Sequence, residues 1–290
     1  MTVWFITGAS RGFGLEITKV ALERGDRVVA TARNPQSVVK AFPDAGDRLL
    51  AVELDVHRPD QIRAAVDAAV AKFGRIDALI NNAGRGLVGA IEETSDQEAR
   101  DAFDVNVFGL LAVTREVLPH MRAQHSGLVI NISSVGGFVA WPGWGIYSAT
   151  KFAVEGLTEA LRHEVGPLGI AVTAVEPGPF RTDFLDGTSL HIADTRITDY
   201  AATGGAARTW AADNNNEQDG DPRRAAEIIV GLADRDDLPE RIQLGANAVD
   251  SVSDKLDRTA RDLQEWKKVA LSADFPVDAD SSVGRLPSVR

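Results

Sequence analysis

No cysteine occurs in the 290-residue sequence, which excludes disulfides, thiolate metal sites and a cysteine nucleophile. Positive charge is in deficit: 31 lysines and arginines face 42 aspartates and glutamates, a formal net charge of −11. A chain this acidic is poorly suited to holding nucleic acid or an anionic membrane by bulk charge. No apolar run reaches the roughly 18 residues of a membrane span. The start, Met1-Thr2-Val3-Trp4-Phe5-Ile6-Thr7-Gly8, lacks the basic head and long apolar middle of a secretory signal. A cytoplasmic protein with no nucleic-acid and no membrane partner is therefore expected. His57, His120, His125, His163 and His191 show no metal-ligand spacing, so no metal is expected. Aromatic residues are scarce, at 6%, so the places where they gather carry information.

What is present is ordinary globular composition, 44% apolar and 25% charged, laid out with a clear rhythm. Short apolar runs at Val3–Thr7, Arg27–Ala32, Leu49–Leu54, Ala78–Asn81, Leu128–Ile132 and Ala171–Val175 read as strands. Amphipathic stretches separate them, as in Pro59–Phe73 with Ile62, Val66, Ala69 and Phe73 at helical spacing. Such alternation implies an α/β fold: a Rossmann-like, doubly wound parallel sheet of about seven strands with helices on both faces. Ligands bind such sheets at the carboxyl ends of the strands. After Val175 the rhythm breaks, and residues 179–220, rich in glycine and polar residues, read as a substrate lid. A helix over Arg223–Ala233 and a strand over Arg241–Leu244 follow. The expected organisation is one domain over residues 1–248 and a C-terminal helical tail over 249–290. Val252, Leu256, Leu263 and Trp266 form an apolar stripe along that tail, and an extended arm is expected from Asp274.

Thr7-Gly8-Ala9-Ser10-Arg11-Gly12-Phe13-Gly14 follows the first strand and opens a helix expected over Leu15–Glu23. Glycine permits the unusual dihedrals of so sharp a turn and lets the backbone approach a pyrophosphate. The helix N-terminus then offers free N–H groups and a positive dipole end. This T-G-x-x-x-G-x-G spacing resembles the short-chain dehydrogenase/reductase family. Asn81-Asn82-Ala83-Gly84, Asn106, Ser134, Tyr147-Ser148-Ala149-Thr150-Lys151, Pro177-Gly178 and Thr182 follow in the family's order. The resemblance covers residues 2 to about 182.

The resemblance implies a seven-strand order 3-2-1-4-5-6-7 and a nicotinamide cofactor. It would be held by Gly8, Ser10, Arg11, Gly12, Phe13, Gly14, Arg33, Asp55, Val56, Asn82, Ala83, Gly84, Tyr147, Lys151, Pro177, Gly178 and Thr182. NAD-preferring members place an acid after the second strand; here Ala32 stands there and Arg33 follows. Arg33 and Arg11 together suit a 2′-phosphate, so NADP(H) is expected over NAD. Asp55 resembles the family's adenine-contacting aspartate, with a strand-end cap as the competing role.

Tyr147 and Lys151 lie four apart, on one helical face. A neighbouring ammonium, with the positive nicotinamide of the oxidised cofactor, favours phenolate and is expected to lower the phenol's pKa from about 10. Tyr147 would then exchange a proton with the substrate oxygen, with Ser134 bonding that oxygen; Asn106 resembles the family asparagine that holds a relay water from Lys151. Ser133 competes with Ser134, but family spacing favours the latter. Phe138, Trp141 and Trp144 lie between Ser134 and Tyr147, while Phe184, Leu185, Leu190, Tyr200 and Trp210 lie in or near the lid. Trp141, Trp144, Phe184 and Tyr200 are the expected substrate contacts, in an apolar pocket for a bulky ketone, aldehyde or alcohol. The implied activity is an NADP-dependent oxidoreductase acting on CH–OH groups, a carbonyl reductase or alcohol dehydrogenase. Alternatives are a reductase of acyl-carrier or sugar-like substrates and a non-catalytic NADP-sensing regulator. A homodimer is expected through the helix over about Val107–Gln124 and the helix bearing Tyr147.

Overall fold

Strands fully covered on both faces need side chains that are apolar throughout, and the most apolar runs of this chain form them. The computed structural model describes residues 1–275. Its strands are β1 (Val3–Ile6), β2 (Arg27–Ala32), β3 (Leu49–Glu53), β4 (Ala78–Asn81), β5 (Gly86–Val88), β6 (Gly127–Ile132), β7 (Ile170–Pro177), β8 (Leu190–Ile192) and β9 (Arg241–Leu244). Seven pair in parallel in the order β3-β2-β1-β4-β6-β7-β9, while β5 and β8 form a separate parallel pair. Counted within the large sheet alone, that is the expected 3-2-1-4-5-6-7.

Alternation along each strand divides the core. Trp4 and Ile6 of β1, Val28 and Ala30 of β2, and Ile80 of β4 face one layer. There they meet α1 (Gly12–Glu23) and α8 (Pro222–Gly231) through Ile17, Val20, Ala21, Ala226 and Ile229. Phe5, Val29, Leu79 and Val129 face the other, against α3 (Pro59–Phe73) and α5 (Leu110–Gln124). The helix bearing Tyr147, α6 (Gly145–Val165), packs on the same side through Val165 and Leu161. Strand order reverses between β1 and β4, and the loops leaving β1, β4, β6 and β7 gather at that carboxyl edge.

Two regions add detail to the expected plan. The first is the lid segment, which carries its own elements: a 3₁₀ turn Asp183–Leu185, β8, a π turn Ala201–Gly205, and α7 (Ala206–Asp213). Buried Glu93 receives Arg208 from α7 at 2.7 Å and Ile197 N–H at 2.9 Å. Glu98, on α4 (Asp96–Phe103), bonds His191 Nε2 at 2.8 Å and accepts Asp194 N–H at 3.0 Å. The second region is the tail. Its helix, α9 (Ala246–Leu271), buries Ala248 and Val252 against Val135. Beyond them the stripe runs into solvent, with Leu256, Leu263 and Trp266 at 53%, 64% and 61% exposure. The arm expected from Asp274 falls almost wholly outside the described residues. Among those residues, no helix is long and apolar enough to cross a membrane.

Candidate active site

The glycine turn is packed too tightly for side chains. A Cβ on Gly14 would stand 2.3 Å from Gly8 O, and Gly8 itself has φ +67°. Thr7 Oγ1 accepts the N–H groups of Asn82 and Ala83, each at 3.0 Å. Asn82 Nδ2 donates back to Thr7 O at 2.9 Å and Gly8 O at 3.1 Å. The loop after β4 is thereby fixed to the loop after β1. Helix α1 starts at Gly12, inside the turn rather than at Leu15, with no side-chain cap and no acid in its first turn. Its N-terminus therefore keeps the character of an anion site.

A cleft of about 1060 Å³ runs along this edge. Ser10, Arg11, Gly12 and Phe13 line it at β1, Ala32 and Arg33 at β2, and Asp55 and Val56 beyond β3. Asn82, Ala83, Gly84, Pro177, Gly178 and Thr182 complete that wall. Thr182 faces Gly12, whose added Cβ would lie 3.6 Å from the threonine Cβ. Arg11 Nη2 donates to Thr188 O at 2.8 Å, joining the glycine turn to the lid segment. Asp55 Oδ1 accepts His57 N–H at 3.1 Å and meets its Nδ1 at 2.8 Å, so it also caps its turn. A glycine cradle and an uncapped helix start, with Arg11 and Arg33 on the same wall, are a donor set that fits a dinucleotide.

Ser134 and Tyr147 meet across Gly136. A Cβ on Gly136 would lie 3.3 Å from both Ser134 Oγ and Tyr147 Cε1. Ser133 is buried at 3% and points elsewhere, toward Gly137. Lys151 Nζ donates to Ile132 O at 2.8 Å and stands 5.9 Å from the Tyr147 ring centre. Asn106 lies in a π-helical turn, Asp104–Gly109. It accepts Arg85 N–H at 2.9 Å and donates to Arg85 O and Thr150 Oγ1, each at 2.9 Å. Gly84 completes the group: its added Cβ would be 3.3 Å from Asn106 Oδ1 and 3.8 Å from Lys151 Nζ.

The electrostatics correct one expectation. Burial pushes the Tyr147 phenol up to about 12, with the Ser134 hydroxyl pulling the other way. Burial also draws Lys151 down to about 8, against the opposing charge of Glu155.

Aromatic residues form a wall around Tyr147. Its ring packs 5.8 Å from Trp144 and 5.5 Å from Phe184, and Trp144 meets Trp210 edge-on at 6.3 Å. Trp141, Leu185 and Leu190 also line the cleft. Tyr200 does not. Its Oη donates to Glu92 at 2.6 Å on the outside of the lid segment, which corrects its expected place among the substrate contacts. Phe138 likewise turns away, to pack with Val135, Ala248 and Val252 beneath α9. Sequence reasoning missed the buried acids Glu155 and Glu176 and the polar ladder Thr114–Asn81–Asn131–Thr158. Only the helical spacing of Glu155 from Lys151 hinted at the first.

Residues 2–192 match the family described as short chain dehydrogenase. The chain belongs to that family. A short-chain dehydrogenase from Streptomyces avermitilis superposes with TM-score 0.86 at 42% identity, covering 94% of this chain and 100% of the other. A 3-ketodihydrosphingosine reductase of Bacteroides thetaiotaomicron is 38% identical over 241 residues, 83% of this chain and 86% of the relative. Solved members of the fold hold either nucleotide. ElxO with NADP bound has TM-score 0.71 and 25% identity, covering 86% of this chain and 99% of its own. A Burkholderia phymatum short-chain dehydrogenase/reductase in complex with NAD has TM-score 0.75 and 25% identity, covering 97% and 98%. This chain is thus an oxidoreductase of the short-chain dehydrogenase family.

Proposed function

We propose that this short-chain dehydrogenase interconverts a carbonyl and an alcohol on a bulky, largely apolar small molecule, with NADP(H) as the hydride carrier. The observation that carries the reading is the convergence of Ser134, Tyr147 and Lys151 beneath the Trp144–Phe184 wall, beside the glycine turn. When bound, the nicotinamide supplies or accepts the hydride. The glycine turn, Asn82–Gly84, Pro177, Gly178 and Thr182 would hold the dinucleotide, and Arg11 and Arg33 would pair with its 2′-phosphate. Ser134 donates a hydrogen bond to the substrate oxygen. Tyr147 gives that oxygen its proton in reduction and removes it in oxidation. A phenol held at about 12 stays protonated at neutral pH and suits the donor role. Lys151 returns the proton to Tyr147, and Asn106 fixes the π turn that borders Lys151.

Trp141, Trp144, Phe184 and Trp210 favour an apolar or planar substrate body. The ketone named for the 38% identical Bacteroides relative is consistent with that chemistry. The reading includes a homodimer, supported by exposed Phe108 and Phe152 beside and on the two helices expected to pair. A panel of bulky ketones and their alcohols, assayed with NADPH, NADH and the oxidised forms, tests the assignment. Turnover of apolar ketones with NADPH at least tenfold above NADH supports it. Tight NADPH binding without any turnover would return the non-catalytic regulator.

A further inference from the structure

Behind Lys151 lies a buried acidic cluster that the reaction, as described, does not use. Glu155 stands one helical turn past Lys151, Glu176 directly precedes Pro177, and Ser133 directly precedes Ser134. Their residue exposures are 7%, 0% and 3%. Ser133 and Glu155 meet at Gly137, where a Cβ would lie 2.6 Å from Ser133 Oγ, 3.0 Å from Lys151 O and 3.1 Å from Glu155 Cγ. Arg241 bridges the two acids. Arg241 Nε lies 3.6 Å from Glu155 and 3.9 Å from Glu176, while its Nη2 bonds Glu159 at 3.0 Å and also reaches Glu240. Gln243 Nε2 donates to Glu176 Oε2 at 2.7 Å. Yet both Glu155 oxygens, Glu176 Oε1 and Arg241 Nε have no hydrogen-bond partner among the described residues.

Two ionised carboxylates are costly in so dry a space beside one guanidinium already drawn to two more exposed acids. A proton held between them relieves the repulsion. We propose that Glu155 and Glu176 share one proton near neutral pH, and that the charge of this pair governs the protonation of Lys151. Glu155 is then a positioning residue that acts on Tyr147 through Lys151. Burial raises both carboxyls above the ordinary range, while the charge of Glu155 opposes the burial-driven fall at Lys151. The groups facing the pair are Lys151 and Glu159 on α6, Ser133 after β6, and Arg241 and Gln243 on β9 with the adjoining Glu240, while Lys255 of α9 lies above the Phe138 ring. On ionisation, one O–H bond breaks and its proton passes to solvent.

The inference rests on the proton-transfer role proposed for Lys151, so its test pairs a turnover readout with one that needs none. In full-length protein labelled with ¹³Cε-lysine, NMR titration follows Lys151, with Lys151→Arg identifying the signal. Glu155→Gln removes the carboxylate that acts on Lys151 and leaves the pair's charge on Glu176 alone, so Lys151 should titrate lower by about one pH unit. Glu176→Gln frees Glu155 of its like-charged neighbour and should move Lys151 the opposite way. The alkaline limb of ketone reduction should follow both shifts. Shifts in the same direction, or none, would overturn the proposal. If a variant does not fold, ¹³C-carboxyl titration of the wild type decides: two coupled steps near neutrality support the pair, and complete ionisation below pH 5 refutes it. Opposed lysine shifts without any ketone turnover would uphold the pair and reject the proposed reaction.

Discussion

Ala32 and Arg33 sit at the end of β2 on the cleft wall, where an acid would bond ribose hydroxyls and repel a phosphate. Ala32→Asp with Arg33→Leu should therefore lower NADPH efficiency relative to NADH by about 10- to 100-fold, since a charge-assisted phosphate contact is worth a few kcal/mol. Comparing kcat/KM for the two nucleotides measures this. Equal use of both by the wild type would remove the role given to Arg11 and Arg33. Proton chemistry sets a second expectation at this scale. Lys151, drawn down to about 8, keeps its charge below that pH and loses it above, while Tyr147 at about 12 stays protonated throughout. Ketone reduction should hold steady at neutral pH and fall as pH rises through about 8. A plateau reaching pH 10 would contradict that order of titration. The sequence placed Lys151 on the same helical face as Tyr147, but not the direction of its Nζ. Ile132 O takes that proton donor, a contact between residues nineteen apart that no local spacing reveals.

At the scale of elements, what was legible depended on length and periodicity. The central strands of the large sheet announced themselves because strands covered on both faces read as apolar runs. The pair β5–β8, three residues each, leaves no such trace. Local propensity placed Tyr200 and Phe138 in the right loops but not on the right sides, because Glu92 and the α9 contact decide their directions. Glycines and polar residues marked 179–220 as a lid but not its anchor, buried Glu93, which clamps the segment through Arg208 and Ile197. Arg208 and those backbone bonds hold the Glu93 carboxyl down at about 2, below its ordinary 4.5. A depressed carboxyl stabilises above its unfolded value and loses that effect as pH falls through the folded one. The clamp should be intact above about pH 4.5 and fail toward 2. Glu93→Gln should lower stability by about 2 kcal/mol in urea unfolding and speed hydrogen exchange across residues 190–213. Unchanged exchange there would assign the order of the segment to its apolar contacts instead.

For the whole molecule, the parallel sheet followed from strand–helix alternation and its order from the family resemblance, while the surfaces followed from neither. Leu256, Leu263 and Trp266 of α9 are exposed, as are Phe108 and Phe152 near the active-site helices. If the proposed homodimer uses the latter face, Phe108→Asp with Phe152→Asp should give monomers by light scattering, while Leu263→Asp with Trp266→Asp leaves the mass unchanged. The reverse pattern would place the interface on the tail. Shortening the chain after Lys255 is a gentler probe than cutting at residue 247, because Ala248 and Val252 complete the packing over Val135.

The central claim is that Tyr147 moves the proton while its neighbours hold substrate and nucleotide. Its most direct test is the Tyr147→Phe variant, assayed for ketone reduction alongside NADPH binding by fluorescence. The phenyl ring preserves the contacts to Trp144 and Phe184 but carries no transferable proton. The account expects turnover to fall by about 10²- to 10⁴-fold, with the NADPH dissociation constant within a few-fold of wild type. Near wild-type turnover in that variant would contradict it.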